Sequence, residues 1–344
     1  MSKICFIIGN GFDKTCGMQC LYSEIFPSYC SECPEDLLVQ TLHDDLSLWS
    51  DFEKDMASNA AGFCSEDAFL KAVEQFRCYL EDYLNAEEKQ VWSNWVQRAQ
   101  LQGCFRETQL SLCNFFKSFS ESDVAFFEQI CGTNNCEYGF ISFNYTDLLD
   151  KLVKHTFRCG YMPSNATLSS IIHIHGKLNT SPSSIVLGAD NDQQFSSLPF
   201  PVSDKLRCLF EKPFFNERYF SLKQQNAKQM ISQSDIICVY GKSLGETDMT
   251  WNNEIRRWLE AETNHYLVVF LHAYSSMQLK YWGEEHQYRS TAVKSIVNQL
   301  CIDESLSKQI FVPIGRDIFN YTAITPPESK PPLKGIAFSM QYPK

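Results

Sequence analysis

The chain has 344 residues, of which 44% are hydrophobic and 21% charged. This composition is typical of a folded protein of about two domains and excludes a disordered chain. Thirty basic and 41 acidic side chains give a net charge of −11. That charge repels a phosphate backbone, so it argues against nucleic acid as a partner.

The sequence favours a cytoplasmic protein. Its longest apolar runs are much shorter than the roughly 18 to 20 residues that a membrane helix needs. The chain begins Met1-Ser2-Lys3 and enters a strand-like run at once, without the succession typical of a secretory signal. Fifteen cysteines, an odd number, are most simply explained as reduced thiols.

The order of elements predicts an α/β fold. An apolar run over residues 3–8 predicts a buried first strand, and helical spacing over residues 34–130 predicts a large helical insert. Strands and helices then alternate, which predicts a Rossmann-like, mostly parallel sheet with helices on both faces. The later predicted strands are Tyr138–Phe143, Ile171–Ile174, Ser184–Leu187, Asp235–Tyr240, Tyr266–Leu271 and Gln309–Val312. The later predicted helices are Asp147–His155, Asp204–Met230 and Asp248–Ala261.

These elements divide the chain into three parts. Residues 1–33 and 131–320 are predicted to form the nucleotide-binding core, and residues 34–130 an insert or lid. Residues 321–344 contain five prolines and are predicted to form an irregular tail that wraps the surface.

Polar residues and glycines follow four of the predicted strands. They are Gly9–Asp13, Asn144–Asp147, His175–Gly176 and Gly241–Leu244. In an open parallel sheet, ligands bind outside the carboxyl ends of the strands, where loops and helix N-termini meet. We therefore expect these segments to converge on one ligand site.

The first segment carries half of a dinucleotide-binding fingerprint. Gly9 and Gly11 permit a tight turn and leave amide N–H groups for anionic oxygens. Lys14 stands where the third glycine would be, so a plain strand-to-helix turn is the alternative. The segment after residue 240 is not a Walker phosphate loop, because Ile236 stands where its first glycine would be.

Asn144 and His175 are candidate chemical groups. Asn144 follows a buried strand, so its amide either ties two loops together or orients a ligand hydroxyl or water. His173 and His175 have a spacing that could offer two imidazoles to a metal, without a further ligand nearby in sequence. We interpret His175, which precedes a glycine, as a base for proton transfer, with a loop-capping role as the alternative.

Two other patterns are less specific. Cys30 and Cys33 have a zinc-ligand spacing but no matching second pair, so buried thiols are the simpler interpretation. A basic stretch forms either a solvated helix face or a contact with an anionic ligand. Its members are Lys205, Arg207, Lys212, Arg218 and Lys223.

Several motifs together resemble the bacterial AbiH-type abortive-infection family. The blocks that carry the resemblance are Ile7–Asp13 with Gly17, Tyr22 and Phe26, then Trp49–Glu53, Ser142–Thr146, His173–Gly176 and Tyr240–Asp248. The resemblance extends from residue 4 to about residue 320. It implies a role in bacterial defence against phage, with a phage-encoded trigger as an expected partner.

The same strand ends are similar, more distantly, to the sirtuin-type NAD-binding fold. That resemblance implies NAD as substrate or ligand, Asn144 at the nicotinamide ribose and His175 as the base. From the histidine and cysteine spacings we expect no metal. It places Gly9 and Gly11 at the pyrophosphate. Thr146 stands where relatives that hydrolyse NAD often have an aspartate. The residues expected to contact the nucleotide are Gly9, Asn10, Gly11, Phe12, Thr146, Asp147, Gly241, Ser243 and Asp248.

Three hypotheses follow for the activity. The first is hydrolysis of the nicotinamide–ribose bond, with Asn144, His175 and Asp13 as catalytic residues and Glu53 as a further carboxylate if the insert closes over the site. The second is a sensor that binds NAD, ADP-ribose or another nucleotide without cleaving it. The third, a nuclease, lacks a clustered acidic metal motif. A homo-oligomer is compatible with each hypothesis.

Overall fold

A computed structural model describes residues 1–42, 62–117, 119–132, 135–180, 185–190, 198–245, 248–272, 282–314 and 318–324. In chain order the strands are β1 (Ser2–Ile8), β2 (Cys136–Ser142), β3 (Ala166–His173), β4 (Ile236–Tyr240), β5 (Tyr266–Phe270) and β6 (Ile310–Phe311). Within these residues, six parallel strands form one sheet in the order β3-β2-β1-β4-β5-β6. The predicted parallel α/β fold is confirmed.

Strand β1 lies at the centre because both of its faces are apolar. Ile4, Phe6 and Ile8 join one hydrophobic cluster, whereas Cys5 and Ile7 join the cluster on the opposite face. A strand covered on both faces has no solvated side, which explains its continuous apolar sequence. It pairs with β2 on one edge and with β4 on the other.

Helices cover both faces of the sheet. Between β1 and β2 lie α1 (Gly11–Thr15), α2 (Tyr22–Glu32), α3 (Leu37–Leu42), α4 (Glu66–Gln97), α5 (Leu101–Cys113) and α6 (Glu121–Cys131). The later helices are α7 (Leu148–Arg158), α8 (Asp204–Phe210), α9 (Lys212–Tyr219), α10 (Ser221–Ser232), α11 (Met249–Ala261) and α12 (Trp282–Leu300). Among the described residues, no helix combines the length and apolar character that a membrane span requires.

The described part of the segment between β1 and β2 is mainly helical, as the sequence predicts. The 32-residue helix α4 begins after Ser65, whose hydroxyl accepts a hydrogen bond from the Ala68 N–H at 3.3 Å. Phe69, Phe76 and Leu80 on its apolar face belong to the hydrophobic cluster that contains Phe6 of β1. Glu53 and the rest of the Trp49–Glu53 block lie outside the described residues.

Two predicted elements differ from the structure. The part of Ser184–Leu187 that is described is a loop, not a strand: the Val186 N–H donates to the His175 carbonyl oxygen at 2.9 Å. The apolar residues of this segment are buried as loop residues. The helix predicted over Asp204–Met230 is three helices: Pro213, in the first turn of α9, interrupts the helical hydrogen bonding after α8, and a second break falls at Phe220 between α9 and α10.

The start of the predicted tail is part of the core. Tyr321 is fully buried, and its ring centroid lies 5.8 Å from that of Phe12 and 5.7 Å from that of Trp95. Its hydroxyl is 2.9 Å from the Thr108 hydroxyl. The expectation of a surface tail is therefore wrong at Tyr321, because a large aromatic side chain with a buried hydrogen-bond partner stabilises the core. The other domain boundaries stay predictions.

The strand order defines where a ligand can bind. In the order 3-2-1-4-5-6 the chain crosses from one side of β1 to the other, so the loops after β1 and β4 leave the sheet in opposite directions. Doubly wound sheets bind ligands at this switch point, outside the carboxyl ends of the strands. The sequence-predicted residues follow β1, β2, β3 and β4 at this edge.

Candidate functional site

The loops after β1 and β4 are in direct contact through their glycines. A Cβ atom on Gly11 would lie 2.5 Å from the Cα atom of Gly241, and one on Gly9 would lie 2.6 Å from the Gly241 carbonyl oxygen. Gly241 has φ +66°, a left-handed conformation that favours glycine. The glycines are therefore required for close packing of the two loops.

The same contact occupies the glycine amides. The Gly9 N–H donates to the Tyr240 carbonyl oxygen at 2.9 Å, and the Gly11 N–H donates to the Gly241 carbonyl oxygen at 2.8 Å. A pyrophosphate at these two amides would have to replace both hydrogen bonds. Anionic groups of a ligand consequently need other donors at this edge.

Asp13 is a buried carboxyl group at the carboxyl edge of the sheet. It lies on α1, is 2% exposed, and its Oδ2 accepts a hydrogen bond from the Thr146 hydroxyl at 2.8 Å. Burial raises the pKa of Asp13 to about 7, although the Thr146 hydroxyl and the Asn144 amide oppose this rise. Asp13 can therefore gain or lose a proton near neutral pH.

Asn144 lies beside Asp13 with its amide uncommitted. The residue is 1% exposed, and neither side-chain polar atom makes a hydrogen bond of acceptable geometry within the described part of the chain. The Oδ1 atom of Asp13 is likewise buried and unbonded there. Buried polar atoms without partners are rare, and a bound ligand or water is a common explanation.

His173 fixes the backbone around Asn144. Its Nδ1 atom lies 2.8 Å from the Asn144 carbonyl oxygen, and its Nε2 atom lies 2.6 Å from Oδ2 of Asp150. Burial alone would raise the pKa of Asp150, but the hydrogen bond and charge of His173, with Lys154 and Lys177, hold it below its usual value. We call Asp13, Asn144, Thr146, Asp150 and His173 the Asp13 group.

The long helix α4 reaches the loop after β2, next to the Asp13 group, through Glu88. This side chain is 4% exposed as a residue, and its Oε2 accepts a hydrogen bond from the Asp147 N–H at 2.9 Å. Its Oε1 lies 2.5 Å from the Lys151 ammonium group. Asp147 itself forms an ion pair with Lys177. The helical insert thus contributes a charged group that holds the loop after β2.

A second group surrounds Asp248 at the start of α11. The Nε2 atom of His175 lies 3.0 Å from Oδ1 of Asp248, whereas its Nδ1 atom is buried without a partner among the described residues. If Nε2 donates to the carboxylate, Nδ1 carries the lone pair and can accept a proton. Asp248 therefore orients His175 as a base.

Two buried lysines converge on the same carboxylate. The Lys242 ammonium nitrogen lies 3.2 Å from Oδ2 of Asp248, and the Lys212 nitrogen lies 3.8 Å from its Oδ1. Burial alone would raise the pKa of Asp248, but the charges of both lysines and the His175 hydrogen bond hold it well below its usual value. We call His175, Lys212, Lys242 and Asp248 the Asp248 group.

The two groups flank the end of β2. Phe143 contacts the Asp248 group: its ring centroid lies 5.0 Å from that of His175 and 4.5 Å from the Lys242 nitrogen. The next residue, Asn144, belongs to the Asp13 group. The structure therefore joins Asp13 with Asn144, and it joins His175 with a different set of partners. His173 and His175 likewise have separate partners, which argues against their sharing one metal ion.

Three other predicted contacts have distinct surroundings. Phe12 is fully buried and packs on Phe319 with ring centroids 5.2 Å apart, so it offers no ligand-facing surface. Asn10 is exposed and its carbonyl oxygen accepts a hydrogen bond from the Lys14 N–H. Ser243 is exposed, and its carbonyl oxygen accepts a hydrogen bond from the Lys242 ammonium group at 2.8 Å.

Sequence reasoning missed several members of the site. Asp150 and Glu88 were not assigned to it, Lys242 was given no role although its segment Gly241–Leu244 was expected there, and Lys212 was one member of a basic stretch. For Lys242 a signal existed, since it directly follows the glycine at the end of β4. Cys30 and Cys33 are half-buried free thiols, and burial raises the pKa of both.

The fold and the residues at its carboxyl edge define a doubly wound α/β protein with a polar site at the switch point. The profile of the bacteriophage abortive infection AbiH family matches residues 5–270, and the chain belongs to that family. None of the curated proteins compared matches it. Family membership supports a role in abortive infection of phage-infected bacteria.

Proposed function

We propose that the protein binds NAD or a related nucleotide at the carboxyl edge of the sheet and hydrolyses the nicotinamide–ribose bond. The main support is the set of buried polar atoms without partners among the described residues: Oδ1 of Asp13, both amide atoms of Asn144, and Nδ1 of His175. They follow three neighbouring strands of the sheet. A ligand with ribose hydroxyls and an ordered water would supply partners for them.

The reaction consumes one water molecule. The bond between the nicotinamide nitrogen and the ribose carbon breaks, the water oxygen bonds to that carbon, and a proton is released. The products are ADP-ribose and nicotinamide. Because positive charge develops on the ribose, the site needs a base and a nearby negative or dipolar group.

The described residues fit these roles. Nδ1 of His175 accepts the proton from water or from a ribose hydroxyl, while Asp248 holds the ring through Nε2 at 3.0 Å. The Asn144 amide orients the water or the hydroxyl. Asp13 has a pKa of about 7, and its ionised carboxylate stabilises the cation that develops on the ribose.

Nicotinamide release from NAD tests the proposal directly. The wild-type chain is expected to release nicotinamide, and His175→Ala to lower the rate by about 10² or more. His286→Ala is the matched control, because His286 is an exposed histidine on α12. Thermal unfolding of both variants checks that they are folded.

Two results would count against this mechanism. A folded His175→Ala variant with wild-type turnover removes the base role. If NAD or ADP-ribose binds but no nicotinamide appears, the protein is a nucleotide sensor instead. The phage trigger, a homo-oligomer and a cytoplasmic location stay predictions.

A further inference from the structure

The diphosphate of a dinucleotide bound at this edge needs partners other than the amides of the loop after β1. A diphosphate carries two negative charges, and the amides of Gly9 and Gly11 already donate to Tyr240 and Gly241. In a partly buried site a diphosphate requires positive charge or hydrogen-bond donors within contact distance. The nearest candidates are in the Asp248 group.

Lys212 and Lys242 are unusual because both are buried. Their side chains are 6% and 3% exposed, and both approach the one carboxylate of Asp248. Lysine is almost never fully buried unless it is paired, and both of these ammonium groups lie within ion-pair distance of Asp248. Asp190 is a second buried acid near Lys212: burial raises its pKa, whereas hydrogen bonds from Thr250 and the positive charge of Lys212 oppose that rise.

A second observation points to a ligand at the same place. His175 is nine-tenths buried within the Asp248 group, and its Nδ1 atom has no partner among the described residues. Lys242 is held in position by the Ser243 carbonyl oxygen at 2.8 Å and by the Phe143 ring at 4.5 Å. The group therefore combines fixed positive charge with an open imidazole nitrogen.

We propose that Lys212 and Lys242 bind the diphosphate of the nucleotide, and that Asp248 is the counter-ion that holds both ammonium groups when the site is empty. This inference rests on the proposed function. The diphosphate of NAD is attached to the same ribose whose bond to nicotinamide is cleaved. Lysines that share Asp248 with His175 would thus bring that ribose to the base.

Binding of ADP-ribose to lysine variants tests the inference without any turnover. Lys212→Met and Lys242→Met are each expected to weaken ADP-ribose binding, measured by titration calorimetry, by about 10-fold or more. The affinity for adenosine, which lacks phosphate, is expected to be nearly the same in the wild type and in both lysine variants. Lys228→Met is the control, because Lys228 forms a more exposed ion pair with Glu254 at 3.1 Å and lies outside the group.

Two measurements remain decisive if a lysine variant does not fold. With the wild-type chain, inorganic pyrophosphate is expected to compete with ADP-ribose, and added salt to weaken both ligands. Asp248→Asn is expected to bind ADP-ribose several-fold more tightly, because it removes a carboxylate that competes with the phosphates. Its turnover of NAD should fall, since Asp248 also orients His175.

The outcomes separate this inference from the proposed function. Loss of ADP-ribose binding in the lysine variants without any cleavage of NAD by the wild type supports the diphosphate site and rejects hydrolysis. Cleavage of NAD with unchanged ADP-ribose affinity in folded lysine variants, or failure of pyrophosphate to compete, overturns the diphosphate site alone. A wild-type chain that binds neither ADP-ribose nor NAD overturns both.

Discussion

The Thr146 hydroxyl donates a hydrogen bond to Asp13 at 2.8 Å, across 133 positions of sequence. It ties the loop after β2 to the helix after β1 at the carboxyl edge of the sheet. The bond is made to a carboxyl group whose pKa is raised to about 7 by burial. The stability of the fold and the charge at the candidate site are therefore linked through one residue.

Asp13→Asn is expected to change how stability depends on pH. In the folded protein the pKa of Asp13 is about 7, against an ordinary value of 3.8. Unfolding therefore releases a proton between these values, so the wild-type free energy of unfolding falls as pH rises through this window. Between about pH 5 and pH 8 the free energy of unfolding of the variant, relative to that of the wild type, should therefore rise by about 3 kcal/mol.

Urea unfolding at several pH values measures this difference. Comparison of wild type with Asp13→Asn cancels the contributions of other titrating groups. A difference between the two proteins that does not change with pH would show that Asp13 ionises at an ordinary pKa.

Asp150→Asn is expected to destabilise the fold by about 3 kcal/mol, because it removes the carboxylate that pairs with the buried His173. The pKa of Asp150 lies below its usual value, so this contribution is present above that value and is lost as pH falls. Asp67→Asn is the control, since Asp67 forms an exposed ion pair with Lys205. Equal urea midpoints for the two variants at neutral pH would contradict the prediction.

Gly11→Ala is expected to destabilise the protein by about 1–3 kcal/mol through crowding. The added Cβ would lie 2.5 Å from the Cα atom of Gly241, and backbone atoms cannot yield as a flexible side chain can. Gly283→Ala provides the comparison, because within the described structure its Cβ would meet no atom within 4 Å. That helical variant should gain about 0.5–1 kcal/mol. Thermal unfolding that ranks the two variants in the opposite order would refute the loop contact.

Two variants of Tyr321 separate the contributions of its ring and its hydroxyl to the stability of the fold. Tyr321→Phe removes the 2.9 Å contact with Thr108 and should cost about 1 kcal/mol. Tyr321→Ala also removes the ring from between Phe12 and Trp95 and should cost about 3–5 kcal/mol. Denaturant unfolding measures both. A loss below 1 kcal/mol for the alanine variant would mean that this residue lies outside the core.

The parallel sheet could be predicted because its strands are continuous apolar runs followed by glycines or polar residues. Phe6 and Ile7 belong to opposite faces, and both are apolar, so the burial of β1 on two sides is visible in the sequence. The same signal fails for Ile185–Leu187. These apolar residues are buried in a loop, and the partner of Val186 is a carbonyl group that the sequence does not reveal.

The site could be predicted only in outline. Strand ends pointed to Asn144 and His175, because the position after a strand is a local property, whereas Asp248 came from the block Tyr240–Asp248 that resembles the AbiH family. Which of them meet depends on long-range geometry, and local patterns do not determine that His175 and Asn144 have different partners. The glycines show a related limit. A glycine is needed both where a phosphate approaches the backbone and where another loop does, so Gly11 alone could not distinguish these cases.

The central position of β1 has a consequence for biosynthesis. This strand is synthesised before both of its neighbours in the sheet, since β2 begins at Cys136 and β4 ends at Tyr240. At about 5–20 residues per second, roughly 10 to 50 seconds of translation pass before both partners exist. Until β4 is made, one edge of this apolar strand has no neighbour, so the centre of the sheet closes only late in synthesis.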